Sequence, residues 1–411
     1  MRDAVSLDAE RGLGLVVVEA RTPAGTHELY QLVVGHHDDE LDPDALSDPT
    51  RATVLADLLR HGAEVGDEGR TVTFHWTDDA PTLAAVPRVR PLRAEQSNSS
   101  VVIDETVVLK VFRHLEPGDH PELEMLQFLS ERGFAHIPTL VGWYEVRGEL
   151  LDATLGVAQG FVGDGEDGWD VALRSLGDPE ADRLTPRLGD LGRVIGEMHA
   201  VLGSDASDPA FAPESPGDES LPLFMATVDE EIEHVFTALP DHEVFAPIAG
   251  RGDALRDRLR QMSQGGSVGR LIRHHGDLHL GQTMLGPSGW TILDFEGEPS
   301  RPLIDRRRKR SPLRDVAGML RSFAYAASAA QRAGRSVPDG WETTARAAFL
   351  DGYLGAVDAS LLPSGEAATE QVLAVFELEK AVYELRYEMD HRPDWAAIPV
   401  AGIARLLEDD V

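Results

Sequence analysis

The chain of 411 residues contains no cysteine. Disulfides and thiolate catalysis are thereby excluded, and His, Asp, Glu, Asn and Gln are left as side-chain metal ligands. Lysine is scarce as well, with only Lys110, Lys309 and Lys380. Basic residues as a class are outnumbered: 38 Lys+Arg face 71 Asp+Glu, a net charge of −33. Such a surface repels a phosphate backbone and argues against nucleic acid as a partner. An anionic ligand would have to be held by a local device: backbone N–H groups, one placed lysine or a divalent cation. No apolar run approaches the roughly 18 residues that span a bilayer, so no membrane partner is expected. Met1-Arg2-Asp3-Ala4 lacks the charged-then-apolar pattern of a signal peptide, which predicts a cytoplasmic protein.

What is present is ordinary globular material, 42% hydrophobic, in a length that predicts two or three domains or subdomains. Residues 1–90 read as a strand-rich cap subdomain whose role is packing. Two apolar runs, 15–20 and 29–34, flank a Pro-Ala-Gly turn as a hairpin; a helical pattern covers 50–63 and strand returns at 71–76. Residues 91–163 read as a small β-rich subdomain. Its polar loop Gln96-Ser97-Asn98-Ser99-Ser100 is either a plain turn or a cover for an anion, offering backbone N–H groups and hydroxyls. Lys110 closes an apolar strand, where a charge is costly without a partner. It either faces solvent from a sheet edge or pairs with the helix at 121–129, from which Glu124 is within reach. The strand at 155–162 runs into an acidic, glycine-rich linker at 163–168, the composition of a hinge. Residues 164–411 read as a helical lobe, with helices at 188–202, 221–236, 250–262, 313–330, 341–353, 366–389 and a last one ending at Leu407. His199 is expected as a buried interhelix histidine. The run Arg306-Arg307-Arg308-Lys309-Arg310 is read as a solvated loop or a contact to a ligand's phosphate, because the chain around it is so acidic.

The chemistry concentrates in His274-His275-Gly276-Asp277-Leu278-His279-Leu280-Gly281-Gln282 and, after a turn at Gly286-Pro287-Ser288-Gly289, in Thr291-Ile292-Leu293-Asp294-Phe295-Glu296. A short apolar strand delivers two carboxylates at its end, and a glycine-bearing loop presents Asp277 between histidines. His275 and His279 have the i,i+4 spacing of a zinc helix, but Gly276-Asp277 stands where a general-base glutamate belongs. An amide oxygen (Gln282) and a carboxylate (Asp294) suit Mg²⁺, which leans on substrate phosphates. Asp277 is then free to accept a hydroxyl proton, while Lys110 neutralises nucleotide phosphates. The set fits phosphoryl transfer from a nucleotide.

His275-Gly276-Asp277-Leu278-His279 resembles the catalytic loop, and Asp294-Phe295-Glu296 the metal-binding motif, of the aminoglycoside-phosphotransferase-like kinases. Longer segments, Ala94-Glu95-Gln96-Ser97-Asn98-Ser99-Ser100, Leu293-Asp294-Phe295-Glu296-Gly297-Glu298-Pro299 and residues 311–323, resemble the actinobacterial maltokinase branch and the glucosamine kinase group beside it. That resemblance implies an α+β, bilobal, protein-kinase-like fold carrying the strand-rich cap, and ATP and Mg²⁺ as cofactors. It implies Asp277 as catalytic base, and Gln282, Asp294 and Glu296 as metal ligands. Gln96 to Ser100 would form the phosphate loop, Lys110 the phosphate lysine with Glu124 as its partner, and Gln159, Gly160, Phe161 and Val162 the adenine hinge. A sugar substrate would meet His279, Glu384, Tyr387, Glu388, Asp390, Arg392 and Trp395. The chain lacks the Trp/Phe-rich opening of maltokinases, and Asp390 stands where that branch carries a basic residue. A further carboxylate among Glu388, Asp390 and Asp394 favours a cationic sugar. Glucosamine, phosphorylated at its 6-hydroxyl, is therefore the expected acceptor; maltose 1-phosphate formation, a silent kinase-like binding module and a glycosidase using Asp277 and Asp294 are the alternatives.

Overall fold

Apolar alternation in the first part of the chain is spent on sheets, and 3.6-residue periodicity in the remainder on helices. The computed structural model describes residues 3–22, 25–37, 40–67, 69–92, 98–176, 184–217, 220–262 and 268–408. The chain forms two compact units, Met1–Gly165 with Ile292–Arg306, and Glu166–Thr291 with Arg307–Val411.

The first unit begins with β1 (Asp3–Asp8), β2 (Leu13–Arg21), β3 (His27–His37), β4 (Glu40–Asp42) and α1 (Pro49–Arg60). It continues with β5 (Glu64–Asp67), β6 (Arg70–Trp76), β7 (Val89–Pro91), β8 (Ser99–Ile103), β9 (Val107–Val111) and β10 (His114–Leu115). Then come α2 (Pro121–Glu131), β11 (Leu140–Gly148) and β12 (Ala153–Gly160). The expected hairpin is β2–β3, with Leu15 opposite Val33. One sheet runs β1-β2-β3-β10, with β4 on β3; the other runs β5-β6-β11-β12-β9-β8-β7. Strands from 1–90 and from 91–163 thus share one seven-stranded sheet, because β6 satisfies its backbone groups against β11. They also share one core, in which Leu15, Leu55 and Phe74 pack with Ile103, Leu109 and Leu155. Buried Gln31 joins the two sheets: its amide donates to Phe112 O and Leu155 O, at 2.6 and 2.8 Å, and accepts from Tyr144 Oη.

The acidic stretch expected as a free linker is partly built into the second unit. Glu166–Asp167 forms β13, and the Asp167 carboxylate caps α3 (Gly168–Ser175) by accepting from Trp169 N and Asp170 N. Next come α4 (Leu184–Leu202), α5 (Ser220–Thr237), α6 (Gly252–Met262), β14 (Thr283–Gly286) and β15 (Gly289–Ile292). After α7 (Leu303–Arg306), which lies in the first unit, the chain is completed by α8 (Leu313–Arg332), α9 (Trp341–Ala356), α10 (Glu366–His391) and α11 (Ala397–Glu408). Of these, α5, α6, α8, α9 and α10 fall within a turn of the positions that periodicity predicts, α11 ends one residue past the expected Leu407 and α4 starts four residues early, while α3 and α7 were not expected. A core of Ile232, Leu255, Leu378, Leu385 and Ile403 binds α5, α6, α10 and α11 together. Among the described residues, no helix is long and apolar enough to cross a membrane. The basic run is used structurally: Arg306 pairs with Glu116 in the first unit, while in the second Lys309 donates to Pro209 O, Ala212 O and Glu214.

Candidate active site

In the first unit the strand lysine is not an edge residue. Lys110 is 8% exposed and its ammonium bonds Asp294 and, at 2.9 Å, Glu122, with Glu296 at 3.6 Å. The helix partner is therefore Glu122, where Glu124 was expected. Helix phase explains the correction: the first turn of α2 turns Glu122 inward, 1% exposed, and two residues rotate the chain by about 200°, which carries Glu124 off that face. Burial by itself would lower the Lys110 pKa, but Glu122, Asp294 and Glu296 outweigh it and hold the ammonium charged well above its usual value. Burial likewise pushes the Glu122 carboxyl above its usual range, against the pull of Lys110. Asp294 adopts a left-handed backbone, φ 63°, a conformation aspartate tolerates better than most residues and one that turns its carboxylate toward Lys110. Asn98 donates to Glu296 at 3.2 Å, and Arg306 donates to Glu296 O. Three carboxylates around one lysine leave net negative charge on oxygen atoms; among the described residues no group of three or more His, Asp or Glu is placed to hold a metal ion, so Asp294 and Glu296 offer hard oxygen donors but not a complete metal cage.

Of the expected phosphate loop, Gln96 and Ser97 lie outside the described residues. Ser99 and Ser100 already belong to β8, paired opposite Val111 and Lys110, and the Ser99 hydroxyl accepts from Arg113 Nε at 2.8 Å. At the expected hinge, the N–H groups of Gly160 and Phe161 are used by Thr139 O and Thr106 O, both at 2.8 Å. The Gln159 side-chain oxygen is buried with no partner among the described residues, and Val162 is half-buried just beyond it.

In the second unit the loop bearing Asp277 is held by one face of α8. Asp315, in the first turn of that helix, accepts from His275 N at 2.7 Å and Gly276 N at 2.9 Å. Three residues on, Gly318 lies so close to the loop that a Cβ would come within 2.6 Å of Leu278 O. One turn further, the Ser322 hydroxyl accepts from Leu280 N. Positions i, i+3 and i+7 share a helix face, so the loop backbone is fixed at three successive points. Gly276 supplies the left-handed turn, φ 86°, that starts the loop. His199 is the buried interhelix histidine expected: Nε2 meets Asp315 at 3.1 Å and Nδ1 meets Tyr353 Oη at 3.0 Å. Burial opposes the charged form of Asp315, but the imidazoles around it, His274 first and then His199 and His275, hold its carboxyl well below the usual range.

His275 and His279 do not share a helix face. His275 Nδ1 accepts from Asp277 N and His279 Nδ1 from Gly281 N, capping a short 3₁₀ turn at Leu280–Gln282. The Asp277 carboxylate is flanked by His279 Nε2 at 3.9 Å and Lys380 Nζ at 4.0 Å. Burial pushes His274 down to about 3, and its Nδ1 has no partner among the described residues. Between pH 6.5 and 3 the unfolded chain therefore binds a proton at His274 that the folded chain refuses, and stability falls as pH falls through that window. One such proton contributes at most about 1.4 kcal/mol per pH unit. His274→Asn is expected to flatten the dependence of the urea midpoint on pH between 6.5 and 4.5; an unchanged slope would remove His274 as its source.

The expected sugar residues on α10 divide by helix face. Glu384 accepts twice from Arg321, both bonds falling on Oε2 at 2.9 and 2.7 Å. Glu388, 1% exposed, accepts from Tyr325 Oη at 3.0 Å and from Arg392 at 2.7 and 3.0 Å. Trp395 stacks with Tyr325, and Arg392 spans the rings of Tyr387 and Trp395. Asp390 and Asp394 are exposed, and the structure does not gather them with Glu388. For Asp390 the reason is again rotation by about 200° over two residues, while Asp394 lies beyond α10 in the short turn Pro393–Trp395. Glu122, Asp315, Ser322, Arg321, Tyr325 and Lys380 were not foreseen as site residues. Asp315 and Ser322 had a signal in the sequence, polar residues on an otherwise buried helix face.

These geometries stand beside three comparisons. A model of the phosphotransferase enzyme family matches residues 88–350. A glucosamine kinase of Mycolicibacterium smegmatis is 28% identical over 376 residues, 87% of this chain and 88% of that one. A glucosamine kinase of Streptacidiphilus jiangxiensis is 25% identical over 387 residues, 88% of this chain and 82% of that one. A glucosamine kinase solved with glucosamine, ADP and inorganic phosphate superposes with a TM-score of 0.76 at 21% identity, covering 98% of this chain and 93% of that one. The resemblance to the glucosamine kinase group carried by the motifs is borne out by these relatives, and the α+β fold it implied is the one observed. With its matched region spanning the Lys110 cluster and the braced Asp277 loop, the chain belongs to the phosphotransferase enzyme family.

Proposed function

We propose that the chain is a sugar kinase that transfers the terminal phosphate of ATP to glucosamine, giving glucosamine 6-phosphate. The observation that carries this is the Asp277 carboxylate, held on a loop fixed at three points by α8, in a chain similar over most of its length to two glucosamine kinases. Asp277 takes the proton of the acceptor hydroxyl, and Lys110 meets the nucleotide phosphates. Asp294 and Glu296 offer carboxylate oxygens and Gln282 an amide oxygen for Mg²⁺, which when bound neutralises phosphate charge. We assign the nucleotide to residues 91–163, the acceptor to 164–411, and a packing role without chemistry to 1–90, in a cytoplasmic setting.

The amine of the sugar is assigned to Glu384. Both hydrogen bonds from Arg321 fall on Oε2, which leaves Oε1 for an ammonium. Lys380, beside Asp277, lies one turn away on the same face of α10, a rise of about 5.4 Å. The amine and the 6-hydroxyl stand at opposite ends of the glucosamine ring, which suits that spacing better than the 1- or 3-hydroxyl, next to the amine. ATP consumption with glucosamine, maltose and glucose, followed by NMR of the products, tests the reading. Glucosamine 6-phosphate is expected; maltose 1-phosphate would replace the substrate assignment, and no acceptor-dependent turnover would remove the enzyme reading.

A further inference from the structure

The three lysines of this acidic chain are used unequally. Lys110 is surrounded by three carboxylates, and Lys309 spends its donors on Pro209 O, Ala212 O and Glu214. Lys380 makes no hydrogen bond among the described residues. Its Nζ stands 4.0 Å from Asp277 Oδ1 and 5.6 Å from the centre of the Tyr383 ring, on a side chain 36% exposed. The Asp277 carboxylate also accepts no hydrogen bond there, since Lys380 and His279, at 4.0 and 3.9 Å, stop short of bonding distance. A lysine and an aspartate that face each other with their hydrogen-bonding capacity unspent can each still bond an oxygen atom placed beside the gap.

We propose that Lys380 is a second catalytic residue, which meets the transferred phosphoryl group as it bonds to the hydroxyl oxygen polarised by Asp277. In this step the acceptor O–H proton passes to Asp277, the acceptor oxygen forms its bond to phosphorus, and the bond from phosphorus to the leaving nucleoside diphosphate breaks. Negative charge is then spread over the equatorial phosphoryl oxygens. The acceptor oxygen must lie about 2.6–3.2 Å from Asp277. The phosphorus bonded to it is then within reach of an ammonium that stands beside the same carboxylate at the end of a flexible four-carbon stem. Lys380 thus supplies a cation from the acceptor-binding unit, independent of any cation brought with the nucleotide.

The proposal rests on the sugar-kinase reading and is tested in the full-length chain with ATP and glucosamine. Lys380→Met is expected to lower kcat by roughly 10²- to 10³-fold, the effect of removing one preorganised charge-stabilising group. KM for glucosamine should stay within about threefold, because the charge being met develops in the transition state. Lys380→Arg should recover about tenfold or more, since it restores the charge but not the shape. Thermal unfolding of all variants checks that the fold is kept, and the Arg variant gives a readout even where Met disturbs packing. A Met variant within threefold of wild type, or an Arg variant no better than Met, overturns the proposal. Failure of wild type to consume ATP with any sugar overturns the sugar-kinase reading instead.

Discussion

Asparagine in place of Asp277 is expected to slow acceptor phosphorylation by roughly 10²- to 10⁴-fold, the usual contribution of a general base, with nucleotide affinity largely kept. The loop around it should survive the change. Its backbone is fixed through Asp315, Ser322 and the close approach of Gly318, and the Asp277 carboxylate takes part in none of these contacts. Asp294→Asn should behave differently. It removes a charge bonded to Lys110 and a proposed Mg²⁺ ligand together, so Mg²⁺-dependent nucleotide binding should fall as well as turnover. Titration of each variant with ATP, with and without Mg²⁺, beside steady-state kinetics separates the two roles. Undiminished turnover in Asp277→Asn would end its assignment as base. Release of a free monosaccharide by wild type would point to paired-carboxylate hydrolysis instead.

Asp315→Asn should lower kcat by about 10²-fold, although this residue touches no substrate. Its carboxylate accepts from His275 N, Gly276 N and His199 Nε2 in a site 2% exposed. An asparagine offers one acceptor oxygen and turns an NH₂ toward donors, so at least one buried donor loses its partner, at a cost of roughly 1–3 kcal/mol. The loop must shift to relieve this, and a misplacement of about 1 Å at a reacting group costs on the order of 10²-fold in rate. Kinetics together with urea denaturation provide the check. Full activity at unchanged stability would show that the loop holds its shape without Asp315.

Much of the architecture was legible because it depends on local periodicity. The hairpin β2–β3 and the long helices α4, α5, α8, α9 and α10 follow from spacing of apolar residues over one or two turns. The segments proposed to carry the reaction were legible for a related reason. The loop from His274 to Gln282 combines a glycine at positive φ with polar residues in fixed order, and the strand Gly289–Ile292 delivers Asp294 at its end. Charge partners were less legible. Glu122 and Glu124 have the same side chain two positions apart, and only the phase of α2 against β9 selects between them. Asp390 looked available for an ammonium from its place in the sequence, and the face of α10 turned it to solvent.

By itself, then, the sequence determined the fold class and the class of reaction, and it singled out the residues proposed to carry the chemistry, because those depend on residue type and short-range order. It also excluded thiol chemistry outright, by composition. Tertiary structure alone decided which charges meet. Asp315 reaches a backbone 40 residues away, Glu122 displaces Glu124, and Lys380 comes to stand beside Asp277, because each pairing is set by the packing phase of a helix. A single residue of slip would turn another side chain inward, and nothing local in the sequence specifies that phase.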